Sequence, residues 1–232
     1  MNKISLPESD TATYAQLNEI FAYIKESWRT LSRSNKDLAR SADDPKFETS
    51  TSRPIVYLSR KENRETIEND LRVQITAEDF ARIDLRTLPE DVSSITKHGL
   101  LYLPNPYVVP GGRFNEMYGW DSYFILIGLI RDSEIELARQ MTDNFLYEID
   151  HYGKILNANP SYYLTRSQPP FLSQMVLEIY RRTRDKNWLE KAARSIEQTH
   201  EFWTKEPRLT KETNLSRYYS AESTPCTRSP RR

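Results

Sequence analysis

The stretch PGGRFNEMYGWDSYF, residues 110–124, concentrates side chains that could bind a polar ligand. Arg113 offers a planar set of donors that suits two adjacent oxygens. Trp120 could stack on the apolar face of a ligand, and Asp121 could accept hydrogen bonds from hydroxyl groups. Its glycines do not have the spacing of a phosphate-binding loop. These residue types together favour a carbohydrate as ligand.

A purely structural interpretation of the same residues stays open. Asp121 would then cap a helix, Trp120 would pack into a core, and Arg113 would pair with Glu116. In either case the pair Pro110-Gly111 predicts a type II turn, in which Gly111 supplies the positive φ that other residues avoid.

The elements around this stretch are mostly helical. Residues 12–31 are predicted to form a helix, because their large apolar side chains recur at steps of three and four: Tyr14, Leu17, Phe21, Ile24, Trp28 and Leu31. The polar segment 32–54 follows and indicates a linker or an arm that lies on the surface. Residues 55–88 mix short apolar clusters with charges, and we assign no structure to them. Prolines and glycines make 99–113 extended.

The second half predicts two helical hairpins. Trp120 begins an apolar helix that ends near residue 131, and residues 133–136 (SEIE) have the form of a capping box for the next helix. Pro169 and Pro170 suit the start of a third helix, and Asp185 can cap a fourth. Short connections between consecutive helices are typical of stacked αα units. The fold class is therefore all-α.

Two motifs resemble those of the trehalases, glycoside hydrolases that split trehalose into two glucoses. They are GGRFNEMYGWDSYF and, at residues 153–171, GKILNANPSYYLTRSQPPF. The similarity extends from about residue 50 to Tyr219. The resemblance implies an incomplete (α/α)6 toroid built of helical hairpins, with an extended N-terminal arm. We expect residues 1–50 to form an N-terminal helix and linker, 51–219 the first part of the toroid, and 220–232 a disordered tail.

The resemblance also implies binding roles for the residues that match the family's motifs: Arg113, Phe114, Trp120, Asp121, Asn157, Arg166, Ser167 and Gln168. The surroundings of Asn157 depart from the family pattern. Leu156 stands where the family has proline, Ala158 where it has glycine, and Pro160 where it has arginine. If the family's glycine is left-handed, Ala158 would strain this turn.

The catalytic pair that the resemblance implies is not found in the sequence. Inverting hydrolysis needs an acid and a base, with their carboxyl groups roughly 6.5–9.5 Å apart. Residues 172–232 contain neither a P-E-S-G-W-D-like run nor the signature Q-W-D-x-P. We therefore expect no catalytic residue in this chain and no hydrolysis by it alone, as in a truncated or frameshifted enzyme. The alternative is an inactive helical fragment that binds sugar or another chain.

Composition limits the remaining function classes. The 33 basic and 33 acidic side chains cancel, so we expect no nucleic-acid or membrane partner. A single cysteine, Cys226, and an N-terminus without an apolar signal region favour the cytoplasm. The scattered residues His98, His151 and His200 do not have metal-ligand spacing, so no metal or cofactor is expected. Exposed apolar helix faces would favour self-association.

Overall fold

A computed structural model describes residues 9–47 and 53–220 of the 232-residue chain. Within these ranges the chain is mainly helical, with short strands between residues 32 and 108. Of the tail predicted for residues 220–232, all but the first residue lies outside the described part. The helices are α1 (Ser9–Leu31), α2 (Leu38–Ala42), α3 (Arg64–Gln74), α4 (Ala77–Arg82), α5 (Asp121–Arg131), α6 (Ile135–Tyr152), α7 (Leu172–Thr183) and α8 (Lys186–Thr204).

The predicted hairpins of the second half are confirmed. Helices α5 and α6 form one antiparallel pair, α7 and α8 form the next, and α6 contacts both α7 and α8. Their facing sides meet in one core, whose largest fully buried side chains include Leu126, Leu129, Met141, Phe145 and Leu172. Within each pair the connection is only two or three residues long, which forces the two helices to pack side by side.

The helix ends agree with the predictions in one case and differ in another. Asp185 caps α8 as predicted, since its carboxylate accepts a hydrogen bond of 3.0 Å from the Trp188 N–H. The capping box at residues 133–136 is wrong. Ser133 has a φ of 67° and belongs to the end of α5, where its N–H bonds to Ile130 O and the Glu134 N–H to Leu129 O. This pattern terminates a helix, so Ser133 cannot also start the next one.

The segment that the sequence left unassigned contains a small parallel sheet. Strand β2 (Ile55–Leu58) lies in the centre, with β3 (Asp84–Thr87) on one side and β4 (Leu100–Leu101) on the other. Helices α3 and α4 form the crossover between β2 and β3 and bury Ile67 and Leu71 against the sheet. All four residues of β2 are buried, because the sheet is covered on both faces.

Helix α1 is packed only at its C-terminal end. Trp28 contacts the hairpin core next to Gly128, and its indole N–H donates to the Asp132 carboxylate at 2.5 Å. The predicted helix is confirmed, and it begins three residues earlier than the prediction. The apolar residues nearer its start are at least 38% exposed: Tyr14, Leu17, Ile20, Phe21, Tyr23 and Ile24.

Residues 32–47, which we name the arm, lie against the body of the protein. Strand β1 (Ser32–Arg33) pairs antiparallel with β5 (Tyr107–Val108). The following helix α2 buries Leu38, Ala39 and Ala42 beside the parallel sheet, and Phe47 is buried in the same cluster. The sequence predicted either a linker or an arm that lies on the surface, and the described residues of this segment form an arm.

Candidate functional site

The two motif segments, about 40 residues apart in the sequence, are neighbours in the structure. Tyr118 and Ala158 form an antiparallel bridge, and the Gly119 N–H donates to Asn157 O at 3.1 Å. Within the second segment, the Asn157 N–H donates to Arg166 O at 3.2 Å. The backbones of Gly119, Asn157 and Arg166 are therefore hydrogen-bonded in series, which brings the start of α5 next to the loop that carries Asn157 and Arg166.

Gly119 makes this close approach possible, and sequence reasoning missed it. A Cβ atom added at Gly119 would lie 2.8 Å from Gln168 Oε1 and 2.9 Å from Leu156 O. Any larger residue would push the two segments apart, since the contact on one side is backbone. The signal that could have found it is its place in the motif, immediately before the Trp-Asp pair.

Gln168 joins the second segment to the first residue before α5. Its side-chain oxygen accepts a hydrogen bond of 2.7 Å from the Trp120 N–H. That N–H belongs to the start of a helix, where backbone donors have no partner inside the helix. The side-chain amide of Gln168 thus fixes the backbone at Trp120, which is a structural contact that the motif resemblance did not indicate.

Trp120 does not pack in the core, as the structural interpretation required, because it is 42% exposed. Its ring lies against Phe124 and Phe171, with ring centroids 6.0 and 6.5 Å away. Tyr123 stacks on Phe171 at 4.9 Å and completes a cluster of four rings at the start of α5. The partly exposed face of an aromatic ring held by other rings is suited to stacking on the C–H face of a sugar.

Asp121 is the first residue of α5 and is half-buried. Its carboxylate makes no capping hydrogen bond, and within the described residues it has no ion pair. The positive end of the helix dipole favours a carboxylate at this position. The interpretation of Asp121 as a helix cap is therefore wrong, and its oxygens stay available to hydroxyl groups.

Arg113 and Phe114 lie in the loop before α5. The Arg113 guanidinium is exposed and lies over the Phe114 ring, 4.8 Å from its centroid, and the ring is half-buried. The alternative pairing of Arg113 with Glu116 is wrong. Glu116 is fully buried and pairs with Lys46, a residue of the arm.

The predicted type II turn at Pro110-Gly111 is also wrong. Among the described glycines only Gly153 has a positive φ. The turn lies two residues further along, where the Phe114 N–H donates to Gly111 O at 2.9 Å. This hydrogen bond closes the loop that presents Arg113.

The second segment presents the remaining candidates at the surface. Arg166 is exposed, and Asn157, Ser167 and Gln168 are half-buried. Ala158, where strain was expected, does not have a positive φ. Its backbone is extended enough to form the bridge with Tyr118, so the alanine is accommodated without a left-handed conformation.

The carboxylate below this segment has an unusual environment. Glu148 on α6 is 1% exposed, and its Oε2 accepts a hydrogen bond of 2.9 Å from the Leu156 N–H. Burial raises the pKa of Glu148 to about 8, which the Leu156 hydrogen bond opposes. Glu148 is enclosed by the protein, so its contact with Leu156 supports the Asn157 loop from inside.

A cleft of about 570 Å³ lies away from these candidate residues, between the ends of α6 and α8, where His151 and Phe202 line it. In the described part of the chain, histidine, cysteine and carboxylate side chains form no group of three that could hold a metal. Within the same residues, no helix is long and apolar enough to cross a membrane.

The stacked helical hairpins place this structure in the class of all-α folds that are built of αα units. The trehalase family model matches residues 8–232. The cytosolic neutral trehalase of Kluyveromyces lactis is 38% identical over 224 residues, covering 83% of this chain and 29% of that protein. A probable trehalase of Saccharomyces cerevisiae is 52% identical over 122 residues, covering 50% of this chain and 16% of that protein. The chain belongs to the trehalase family.

A solved structure gives the same answer for the fold. Neutral trehalase Nth1 from Saccharomyces cerevisiae superposes with a TM-score of 0.78 at 33% identity, covering 91% of this chain and 44% of that one. The fold is thus an incomplete α/α toroid, as predicted. The chain spans less than a third of the length of the curated relatives it matches.

Proposed function

We propose that this chain carries part of the substrate site of a trehalase, a glycoside hydrolase that converts α,α-trehalose to two glucoses with inversion. Its substrate-binding residues would be Arg113, Phe114, Trp120, Asp121, Asn157, Arg166, Ser167 and Gln168. The observation that supports this proposal is the hydrogen-bonded contact between the two motif segments, through Gly119, Asn157 and Gln168.

Each proposed contact follows from the chemistry of the side chain. The guanidinium groups of Arg113 and Arg166 would each donate to a pair of sugar oxygens. Trp120 would cover the C–H face of a glucose ring, and Asp121 would accept from two hydroxyl groups, as carboxylates do with sugars. Asn157 can both donate and accept, which suits a hydroxyl group that does the same.

We further propose that this chain binds the sugar without hydrolysing it. Protonating the leaving oxygen and activating water need two carboxyl groups on opposite sides of the bond. Glu116 and Glu148 are buried, and Glu116 is also paired, so neither can reach a substrate on the surface. Asp121 alone cannot serve as both acid and base in one inverting step.

Calorimetric titration of the chain with trehalose tests the proposal. Binding with millimolar or tighter affinity is expected, and Asp121→Asn and Arg166→Lys should each weaken it by at least ten-fold. Arg194→Lys is the matched control, since Arg194 is an exposed arginine on α8, away from both motifs. A chain that binds trehalose no better than sucrose would contradict the site. Glucose release by the chain would contradict the proposed inactivity.

A second candidate function is an interaction fragment, and the exposed face of α1 favours it. Four residues of the predicted stripe remain exposed along this helix, and Phe124 is 58% exposed beside Trp120. Apolar surface of this kind favours contact with another protein surface, including a second copy of the chain. Light scattering over a range of concentrations tests this: growth in mass supports self-association, and a constant monomer mass contradicts it.

The cellular setting that we propose is the cytoplasm. Relatives named cytosolic neutral trehalases agree with this location. Trehalose would be the small-molecule partner, and neither nucleic acid nor membrane is part of the proposal.

A further inference from the structure

The arm makes a set of polar contacts with the loop that carries Arg113 and Phe114. Arg33, on β1, is only 6% exposed although its side chain is charged. It donates from Nη2 to Phe114 O at 3.1 Å and from Nε to Asn115 Oδ1 at 3.2 Å. One guanidinium therefore holds two consecutive residues of the loop, one through its backbone and one through its side chain.

The end of the arm also holds Asn115, together with the next residue of the loop, Glu116. Lys46 pairs with Glu116 and lies 3.3 Å from the Asp44 carboxylate, which in turn accepts from Asn115 Nδ2 at 3.3 Å. The Glu116 carboxylate also accepts the Asn115 N–H at 3.1 Å. Asp44 and Glu116 are almost fully buried, so their charges depend on these partners.

The arm also touches the aromatic wall of the candidate site. The Lys46 ammonium lies 5.4 Å from the centroid of the Phe114 ring, on which Arg113 also lies. From inside the protein, the Tyr107 hydroxyl donates to Asn115 O at 2.8 Å. The loop is thus fixed at Phe114, Asn115 and Glu116, while the neighbouring guanidinium of Arg113 stays at the surface.

We infer that Arg33 and Lys46 are positioning residues of the sugar site: the arm sets the place of Arg113 and Phe114 through Asn115 and Glu116. This inference rests on the proposed function, because it assigns the arm to the same substrate. Arg33 contacts the loop at Phe114 and Asn115. Lys46 contacts it at Glu116 and at the Phe114 ring. Their effect on sugar binding would come entirely from the position of the loop, whose freedom would otherwise lower affinity.

Two measurements on the full 232-residue chain test this inference together. Hydrogen exchange of a peptide covering residues 111–118 reports the order of the loop, and titration with trehalose reports the site. The main variant is the double change Lys46→Met with Glu116→Gln, which removes the ion pair without leaving Glu116 charged and unpaired. Asp44 loses the ammonium of Lys46 but keeps its hydrogen bonds from the backbone N–H of that residue and from Asn115 Nδ2. The melting curve of the double variant should show that it folds.

The double variant should raise exchange in residues 111–118 about ten-fold and raise the Kd for trehalose by a similar factor. Arg33→Lys should act in the same direction, because lysine cannot reproduce the two-point contact of the guanidinium. Lys46→Arg should retain both the slow exchange and the affinity. Lys61→Met is the matched control, because Lys61 binds Asp150 on another part of the structure.

Each other outcome rejects a different part of the argument. Unchanged exchange in the double variant means that the arm does not order the loop, and faster exchange with an unchanged Kd means that the order of the loop does not matter to the sugar. Both reject the inference and leave the proposed function intact. If the wild-type chain does not bind trehalose, the proposed function fails and the positioning role is rejected with it. The exchange data then still decide whether the arm holds the loop.

Discussion

Two buried carboxylates support the two motif segments, and their surroundings differ. Glu116 lies within the first segment and pairs with Lys46, which reaches it from the arm 70 residues earlier in the chain. Glu148 lies below the second segment and accepts a hydrogen bond from the Leu156 N–H. Among the described residues its second oxygen has no hydrogen-bond partner, nor does the nearby Tyr152 hydroxyl.

The Glu116 and Glu148 carboxylates are equally buried, but burial has different consequences for their charge. At Glu116 the protein supplies a cation, so the charge links two elements of the fold. At Glu148 the protein supplies one backbone donor, and burial raises its pKa to about 8. A neutral Glu148 fills a polar site without a counter-ion. The stability of the first segment should therefore depend on the Lys46 side chain, and that of the second segment should depend on pH.

Replacing Lys46 with methionine should have the largest effect on stability. The change leaves the Glu116 carboxylate buried without its cation, which typically costs about 3–5 kcal/mol of unfolding free energy. Because Lys46 itself is partly exposed, we expect the lower end, about 3 kcal/mol. Urea unfolding monitored by circular dichroism measures the difference.

Two control variants show whether the buried charge is responsible. Adding Glu116→Gln to Lys46→Met should recover only part of the loss, because the buried Asp44 also loses the Lys46 ammonium. Lys46→Arg should cost less than about 1 kcal/mol, because it keeps a cation beside both carboxylates. A loss below about 0.5 kcal/mol for Lys46→Met alone would show that Glu116 does not need its partner.

Glu148 should make the stability fall as pH rises. The folded-state pKa, about 8, lies above the ordinary value of 4.5. Between these values the folded state holds a proton that the unfolded state has lost, so unfolding free energy falls by about 1.4 kcal/mol per pH unit. The contribution is fully present below pH 4.5 and is lost as pH rises through 8. Urea unfolding at pH 7 and pH 8 measures the slope.

Glu148→Gln should remove this slope, because the amide does not titrate and can still accept from Leu156. His151 on the same helix would complicate measurements at lower pH, since burial lowers its pKa below 6.5. Between pH 7 and 8 the unfolded state loses only a minor fraction of a proton from this histidine, and that contribution is the same in wild type and in Glu148→Gln. Equal slopes for wild type and Glu148→Gln would contradict the assignment to Glu148.

How far the sequence predicts this structure depends on the distance between interacting residues. Helices α5 to α8 follow from periodicity, and Asp185 as a cap follows from its place before an apolar run. The β2 strand could not be assigned, because a strand buried on both faces has no alternation to distinguish it from a helix segment. Ser133 was wrongly predicted to start a helix, since only its backbone conformation shows that it closes the preceding one.

The candidate site could likewise be predicted where a local motif indicates it, but not where residues far apart in the chain meet. The candidate binding residues came from the resemblance of two motifs, and the structure places those motifs next to each other. The ion pair of Lys46 and Glu116 and the bond from Trp120 to Gln168 join residues far apart in the chain, and no local pattern indicates them. Asn115 was not predicted either, because a polar loop residue has no distinctive spacing.

Gly119 lies where the two motif segments meet. Of the three effects on the unfolding free energy, at Lys46, Glu148 and Gly119, that of Gly119→Ala should be the smallest. The new methyl group would meet Gln168 Oε1, which can move, and Leu156 O, which belongs to the segment held by Glu148. We expect a loss of about 1 kcal/mol, the lower end of the cost of overpacking: Gln168 Oε1 can move, and the contact with Leu156 O is relieved by a small separation of the two segments. Trehalose affinity should fall further than this loss suggests, since the displacement separates Trp120 from Asn157. Urea unfolding and calorimetric titration of the same sample measure the two losses.

Gly112→Ala is the matched control, because nothing lies within 4 Å of an added Cβ there. If both alanine variants bind trehalose equally well, the contact between the two segments does not shape the site.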